Sequence, residues 1–162
     1  MDPSNTSSAT TAGSARTTAV EHREQVQRAL VALEDALAQP APRRLAEWSD
    51  TVGRRLHDLR GEFARHVEIT EGPDGLYDEI VSVAPEHVHA LDVLRAEHTE
   101  IERAIRTSLA ALATRGAGEA DPDGWVAARR DACTDLLGRL VRHRQRGADL
   151  TWRAYHAELG SG

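Results

Sequence analysis

The stretch PEHVHALDVLRAEHTEIERAIRTSLAALA, residues 85–113, decides the fold. Its apolar residues Val88, Leu91, Leu94, Ile101, Ile105, Leu109 and Leu112 recur three or four apart, the spacing of one face of an α-helix. Proline at its start suits the first turn, where a missing N–H costs nothing. The gap in the stripe between Leu94 and Ile101 is filled by His98, four after the one and three before the other. An inward imidazole is therefore expected in this helix. Histidine is uncommon among fully buried residues and needs partners for its ring nitrogens when it is inside.

Outward from this helix the same pattern appears three more times. Val26, Leu30, Leu33 and Leu37 predict a helix over about 18–38. Leu45, Trp48, Val52, Leu56, Leu59 and Phe63 predict one over about 43–71, and Leu136, Leu140 and Leu150 one over about 124–159. The breaks are Gln39-Pro40-Ala41-Pro42, Gly72-Pro73-Asp74-Gly75 and a Gly-, Ala- and Asp-rich loop over 114–123. A short amphipathic segment, Leu76 to Val83, precedes Pro85. No strand alternation and no repeat at a solenoid period is found. The expectation is all-α: an up-down-up-down antiparallel four-helix bundle with a short extra helix between the second and third. Residues 1–16, rich in Ser, Thr, Ala and Gly, are expected to be a disordered leader, with the bundle over 17–162.

Bulk properties narrow the function classes. A chain of 162 residues makes one domain with a real core, and with aromatics at only 4% that core must be mostly Leu, Val, Ile and Ala. All 20 basic residues are arginine, which with abundant alanine points to a GC-rich bacterial genome. A net charge of -6 argues against a nucleic-acid or anionic-membrane partner, whose binding rests on clustered positive charge. No apolar run approaches the roughly 20 residues that span a bilayer. A single cysteine, Cys133, fits a reducing compartment, and no basic-then-apolar signal pattern opens the chain, so the expected location is cytoplasmic.

Each remaining helix also carries a histidine on its apolar stripe. His22 is four before Val26, His66 three after Phe63, and His143 three after Leu140. Counted from the helix ends nearest the 39–42 and 114–123 loops, the four lie within about 7 residues of one level, roughly 10 Å of helix axis. One inward histidine is ordinary; four, one per helix, point to an enclosed ligand. Imidazole is the commonest protein metal ligand, so His22, His66, His98 and His143 are the candidate metal ligands.

Carboxylates are less regularly placed. Thr70 lies four after His66 and Gly147 four after His143. Glu71, five after His66, points about 140° away in an ideal helix, but sits at a helix end that the Gly-Pro break can reorient. Glu102 is four after His98, Glu62 four before His66, and Asp149 six after His143. His57 borders the apolar stripe as a flank residue, and His87, His89 and His156 are expected to be solvated. Cys133, Trp48, Trp125 and Trp152 are expected as core or rim packing, and the arginines at 139, 142, 144 and 146 as a solvated face.

A helix with an early histidine followed by HVEITEGPDGLYDEI (66–80), LRAEH (94–98) and RHRQRGADLTWRAY (142–155) resembles the hemerythrin-type, His-His-Glu cation-binding family, closest to its bacterial single-domain members. The resemblance covers about residues 20–159. It implies an antiparallel four-helix bundle around two oxo-bridged irons that binds oxygen or senses oxygen, nitric oxide or iron. Position by position, it implies His22, His66, His98 and His143 as ligands. The family's carboxylates fall on Thr70, with Glu71 next door, and on Gly147, with Asp149 two further on; Glu71 is the carboxylate expected at the metal. The cofactor implied is non-heme iron, one ion or two, although imidazole serves Zn, Cu and Ni as well. The expected role is binding or sensing dioxygen or a related small oxidant. The alternative is a metal-free scaffold or interaction module that has kept the fold. A peroxide-consuming enzyme is a third reading, for which the sequence supplies no substrate pocket with an identifiable acid or base.

Overall fold

The computed structural model describes residues 5–41, 44–114 and 120–156, and among them finds only helices and their connections. Four are long: α1 (Asn5–Ala38), α2 (Leu45–Glu71), α4 (Val88–Ala113) and α5 (Pro122–His156). The short α3 (Leu76–Val83) and one 3-10 turn (Pro85–His87) lie between α2 and α4. None of these helices is long and apolar enough to cross a membrane.

Local chemistry sets the boundaries. α5 starts two residues before the expected Gly124, because Asp121 caps it: its Oδ1 accepts the Gly124 N–H at 2.9 Å, and Pro122 takes the first helical position. Pro85 opens a 3-10 turn, and the regular α-helix begins at Val88. Val88, expected inside, is 42% exposed, since it stands where the two helix types meet, one turn before the stripe is covered at Leu91. α1 begins at Asn5 rather than near Thr18 and so runs through most of the stretch expected as a disordered leader. Once a helix is nucleated, each further residue adds one hydrogen bond, and alanines at 9, 12 and 15 extend it readily.

The turn after α2 is constrained. Asp74 has a φ of 57°, and a Cβ on the buried Gly75 would lie 2.7–2.9 Å from the carbonyl oxygens of Ile69, Thr70 and Gly72. Only glycine fits at 75, and the carbonyls that exclude a side chain belong to the last turn of α2 and its cap.

α1 packs most closely on α2, α4 on α5, and α2 on α4, while α1 and α5 touch only sparsely. Two apolar clusters result. The larger gathers Leu33, Val52, Leu56, Leu59, Phe63, Ile101, Ile105, Cys133 and Leu136. The smaller gathers Leu76, Tyr77 and Ile80 of α3 with Ala19, Leu91, Leu94, Leu150 and Ala154. Trp48 and Trp125 meet edge to face at 6.2 Å in the larger cluster, Cys133 is buried there, and Trp152 is exposed. The inward histidines sit where the two clusters meet.

Candidate metal centre

α2, α4 and α5 each turn one imidazole into that seam. The Nε2 of His143 is 3.0 Å from the Nε2 of His98 and 3.3 Å from the Nε2 of His66. The three rings thus bring one nitrogen apiece within 4.8 Å of one another. His98 and His143 are buried and His66 nearly so. Phe63 holds them from the core side: it stacks on His66 at 5.8 Å and meets His98 and His143 edge-on. Tyr77 of α3 stacks flat on His98 from the other side, 5.9 Å between centroids and 4° between planes. The short helix therefore closes this end of the site.

The opposite nitrogens are held by carboxylates. His143 Nδ1 donates to Glu97 Oε2 at 2.9 Å, and His98 Nδ1 donates to Glu71 Oε1. Glu97 also pairs with Arg146 and is the better covered of the two glutamates, while Glu71 lies nearer the surface. A carboxylate accepts and does not donate, so these partners place the protons of both rings on Nδ1. A neutral imidazole has only one N–H, which leaves the two Nε2 atoms as bare lone pairs facing each other at 3.0 Å. Together with His66 they form a cluster that could hold a metal ion.

Electrostatics keep the rings neutral. Burial pushes His66 down to about 3, the like charges of the neighbouring imidazoles adding to it. Burial and His143 push His98 down to about 3. Burial pushes His143 down to about 4, opposed by Glu71. Glu71 is itself raised by burial, with Arg95 acting against the shift. At neutral pH all three rings are therefore in the neutral form that metal binding needs.

The donor set fits one ion. Nitrogens bound to a common ion at 2.0–2.1 Å and the tetrahedral angle stand about 3.3–3.4 Å apart, close to the 3.0 and 3.3 Å that separate His143 from His98 and His66. Carboxylates on the far nitrogens are the usual outer partners of metal-binding histidines, fixing tautomer and ring orientation. The two-iron arrangement is not matched. Thr70 Oγ1 donates back to the His66 carbonyl at 2.8 Å, Gly147 brings no donor, and Asp149 is exposed. Glu71 is at the site, but on a histidine rather than among the converging nitrogens.

His22 is buried but turned elsewhere: its Nε2 donates to the Glu62 carbonyl at 2.9 Å, and its Nδ1 lies 3.8 Å from that residue's carboxylate. Glu102 is exposed beside Arg106. His57, His89 and His156 are exposed and His87 is half-buried, all away from the cluster. The residue that sequence reasoning missed is Glu97, whose only signal is its place next to His98 in LRAEH.

A cavity of about 40 Å³ adjoins the cluster, lined by His66 and His143 and by apolar side chains including Val26, Phe63, Ile80 and Leu150. Two arginines, Arg23 and Arg144, complete its wall. Burial, then the charge of Arg144, lowers the Arg23 guanidinium from its ordinary value.

Comparison with known proteins returns no match: no family model, no curated protein and no solved structure matches this chain.

Proposed function

We propose that this chain is a hemerythrin-like protein that holds a single transition-metal ion, non-heme iron, on Nε2 of His66, His98 and His143, and there binds or senses dioxygen or a related small oxidant. The observation that carries the reading is the convergence of three imidazole nitrogens within 4.8 Å of one another, with the Nδ1 atoms of His98 and His143 held by Glu71 and Glu97.

The chain's own residues divide the work. The two glutamates orient His98 and His143 and make their imidazoles more basic. Arg146 balances the charge of Glu97. Phe63 and Tyr77 keep bulk water off the cluster and hold the rings at fixed angles. Iron bound there supplies a redox-active centre with coordination positions left for a small ligand. The neighbouring cavity has room for about three water-sized groups, which suits a diatomic or triatomic molecule and not a larger substrate.

Long-range contacts support the topology. His22 is level with Glu62, and His98 with His143, while at the opposite end Arg130 bonds the carbonyls of Leu37 and Gln39 and Trp48 meets Trp125. Helices that alternate in direction, up-down-up-down, satisfy all of these pairs. The negative net charge and the lone buried cysteine accord with a cytoplasmic protein whose partner is a small molecule rather than nucleic acid.

The test is an anaerobic titration with ferrous iron followed by nitric oxide as an oxygen surrogate. The reading expects saturation at a single iron and a new iron–nitrosyl spectrum, lost in His143→Ala. Iron that binds without any spectral response to nitric oxide or dioxygen would reduce the role to metal storage or structure.

A further inference from the structure

We propose that α3 is a gate over the three histidines, latched by Tyr155 of α5 on Glu79, and that it opens as a unit to let a metal ion and small ligands in and out. The walls of the site are unequal. α2, α4 and α5 run for 26 to 35 residues, whereas α3 has eight, too few for a helix to persist in water without packing. Of those eight, Leu76, Tyr77 and Ile80 are buried, and they pack in the smaller apolar cluster rather than the larger one. The same three side chains line the cavity beside His66 and His143, and Tyr77 lies flat on His98. Lifting α3 uncovers the site and leaves the larger cluster whole.

Both ends of α3 are breaks in the helical ladder. The turn over 72–75 precedes it, with Asp74 at a φ of 57°, and at Ala84 the α-helix stops and the 3-10 turn begins. Residues at such element ends absorb the backbone change when a rigid piece swings. The latch lies across the piece: the Tyr155 hydroxyl donates to Glu79 Oε1. The fit is incomplete, because Glu79 Oε2 is buried and, among the described residues, has no hydrogen-bond partner. Leaving a buried acceptor bare is unfavourable, and opening returns that oxygen to water. Arg95 of α4 rests on the Tyr77 ring at 5.4 Å, but its side chain is 36% exposed and holds α3 only weakly. A small apolar contact opposed by an orphan acceptor is the balance from which local opening is drawn. Among the described residues Tyr155 makes no hydrogen bond or ring contact with the three histidines, so the latch can be cut without altering a ligand. What the gate admits rests on the metal reading; that it opens does not.

Entry and exit through a gate share one open state. Loosening the latch therefore raises both rates by the same factor and leaves the equilibrium affinity nearly unchanged, whereas loss of a merely structural support speeds release alone and weakens binding. The experiment compares the full chain with Tyr155→Phe, with melting curves to show that the variant folds. Hydrogen exchange of the metal-free parent should show the amides of 76–83 exchanging together, about tenfold or more faster than the middle of α4. Tyr155→Phe should speed the exchange of 76–83 by a further factor of roughly two to ten, the worth of one hydrogen bond, and leave α4 unchanged. Zinc uptake and zinc removal by a chelator, followed in stopped flow, should both accelerate by that factor, with Kd constant within about twofold. Exchange over 76–83 as slow as that of α4, or unmoved by Tyr155→Phe, overturns the gate whatever the metal does. Zinc that binds with unchanged rates, or with faster release and weaker affinity only, overturns the gate and leaves the metal reading standing. A protein that takes up no zinc overturns the metal reading, and the gate then stands if Tyr155→Phe frees 76–83 alone and falls if it does not.

Discussion

Removing the Glu97 carboxylate should weaken metal binding without touching a metal ligand. Glu97 Oε2 accepts the His143 Nδ1 proton at 2.9 Å, and its side chain is only 17% exposed. Loss of such a partner typically costs 10–100-fold in metal affinity, about 1.4–2.7 kcal/mol. Glu97→Ala should fall at the upper end, because His143 then loses both its orientation and the negative charge behind it. Glu97→Gln keeps an acceptor and loses the charge, so it should fall near the lower end. Part of the effect could come through Arg146, but that side chain is 57% exposed, and an exposed ion pair contributes at most about 1 kcal/mol. Arg146→Gln is therefore the control and should change affinity less than Glu97→Gln does. The assay is competition with a chelator of known affinity, with cobalt or zinc as spectroscopic or stoichiometric probe. Unchanged affinity in Glu97→Ala, in a protein where His143→Ala abolishes binding, would show that His143 is positioned by packing alone and would refute the reasoning.

Further outcomes follow from the same geometry. Glu71→Gln should weaken metal affinity at least tenfold through His98, about 1.4 kcal/mol, while Glu102→Gln on the exposed face of α4 should leave it unchanged; chelator competition separates the two. Gly75→Ala drives a methyl group into three carbonyl oxygens at the end of α2, so it should lower the melting temperature and displace Glu71; a melting curve matching the parent's would contradict the close approach there. Phe63→Ala, which empties the space behind all three rings, should cost about 3–5 kcal/mol in denaturant unfolding and weaken metal binding as well. The metal-free protein should lose stability in acid. His66, His98 and His143 are held near 3–4 when folded and rise to about 6.5 when unfolded, so below pH 6.5 the unfolded state takes up protons that the folded state refuses. Stability should then fall from about pH 6.5 down towards pH 4, by up to about 1.4 kcal/mol per pH unit for each histidine. An unfolding midpoint that does not move between pH 7 and pH 5 would contradict it.

The helices and the inward histidines were legible because they follow from periodicity: a residue three or four from a core residue shares its face. Periodicity names a face, not a ring nitrogen. It brought His22 inside, where it is buried, but could not show that its Nε2 would take the Glu62 carbonyl rather than join the other three. Glu71 illustrates the same limit from the other side. About 140° from His66 on α2, it points away from its own helix's histidine, and for that reason meets His98 on the adjacent α4. Glu97 is about 100° from His98 on α4, off the apolar stripe, and serves the histidine of α5 instead. Carboxylates that act between helices leave no trace in the pattern of any one helix. The early start of α1 was hidden for a different reason, since a helix extended from an existing one needs no apolar stripe of its own.

The central claim is that three imidazoles, and not four histidines or a carboxylate bridge, bind one metal ion. It is tested most directly by elemental analysis and ferrous-iron titration of the protein purified without chelator, alongside His66→Ala, His98→Ala, His143→Ala, His22→Ala and His89→Ala. The account predicts a single equivalent of transition metal, lost in the variants at 66, 98 and 143 and retained in those at 22 and 89. Less than about a tenth of an equivalent with no uptake of ferrous iron, or two equivalents that both depend on His22, would contradict it.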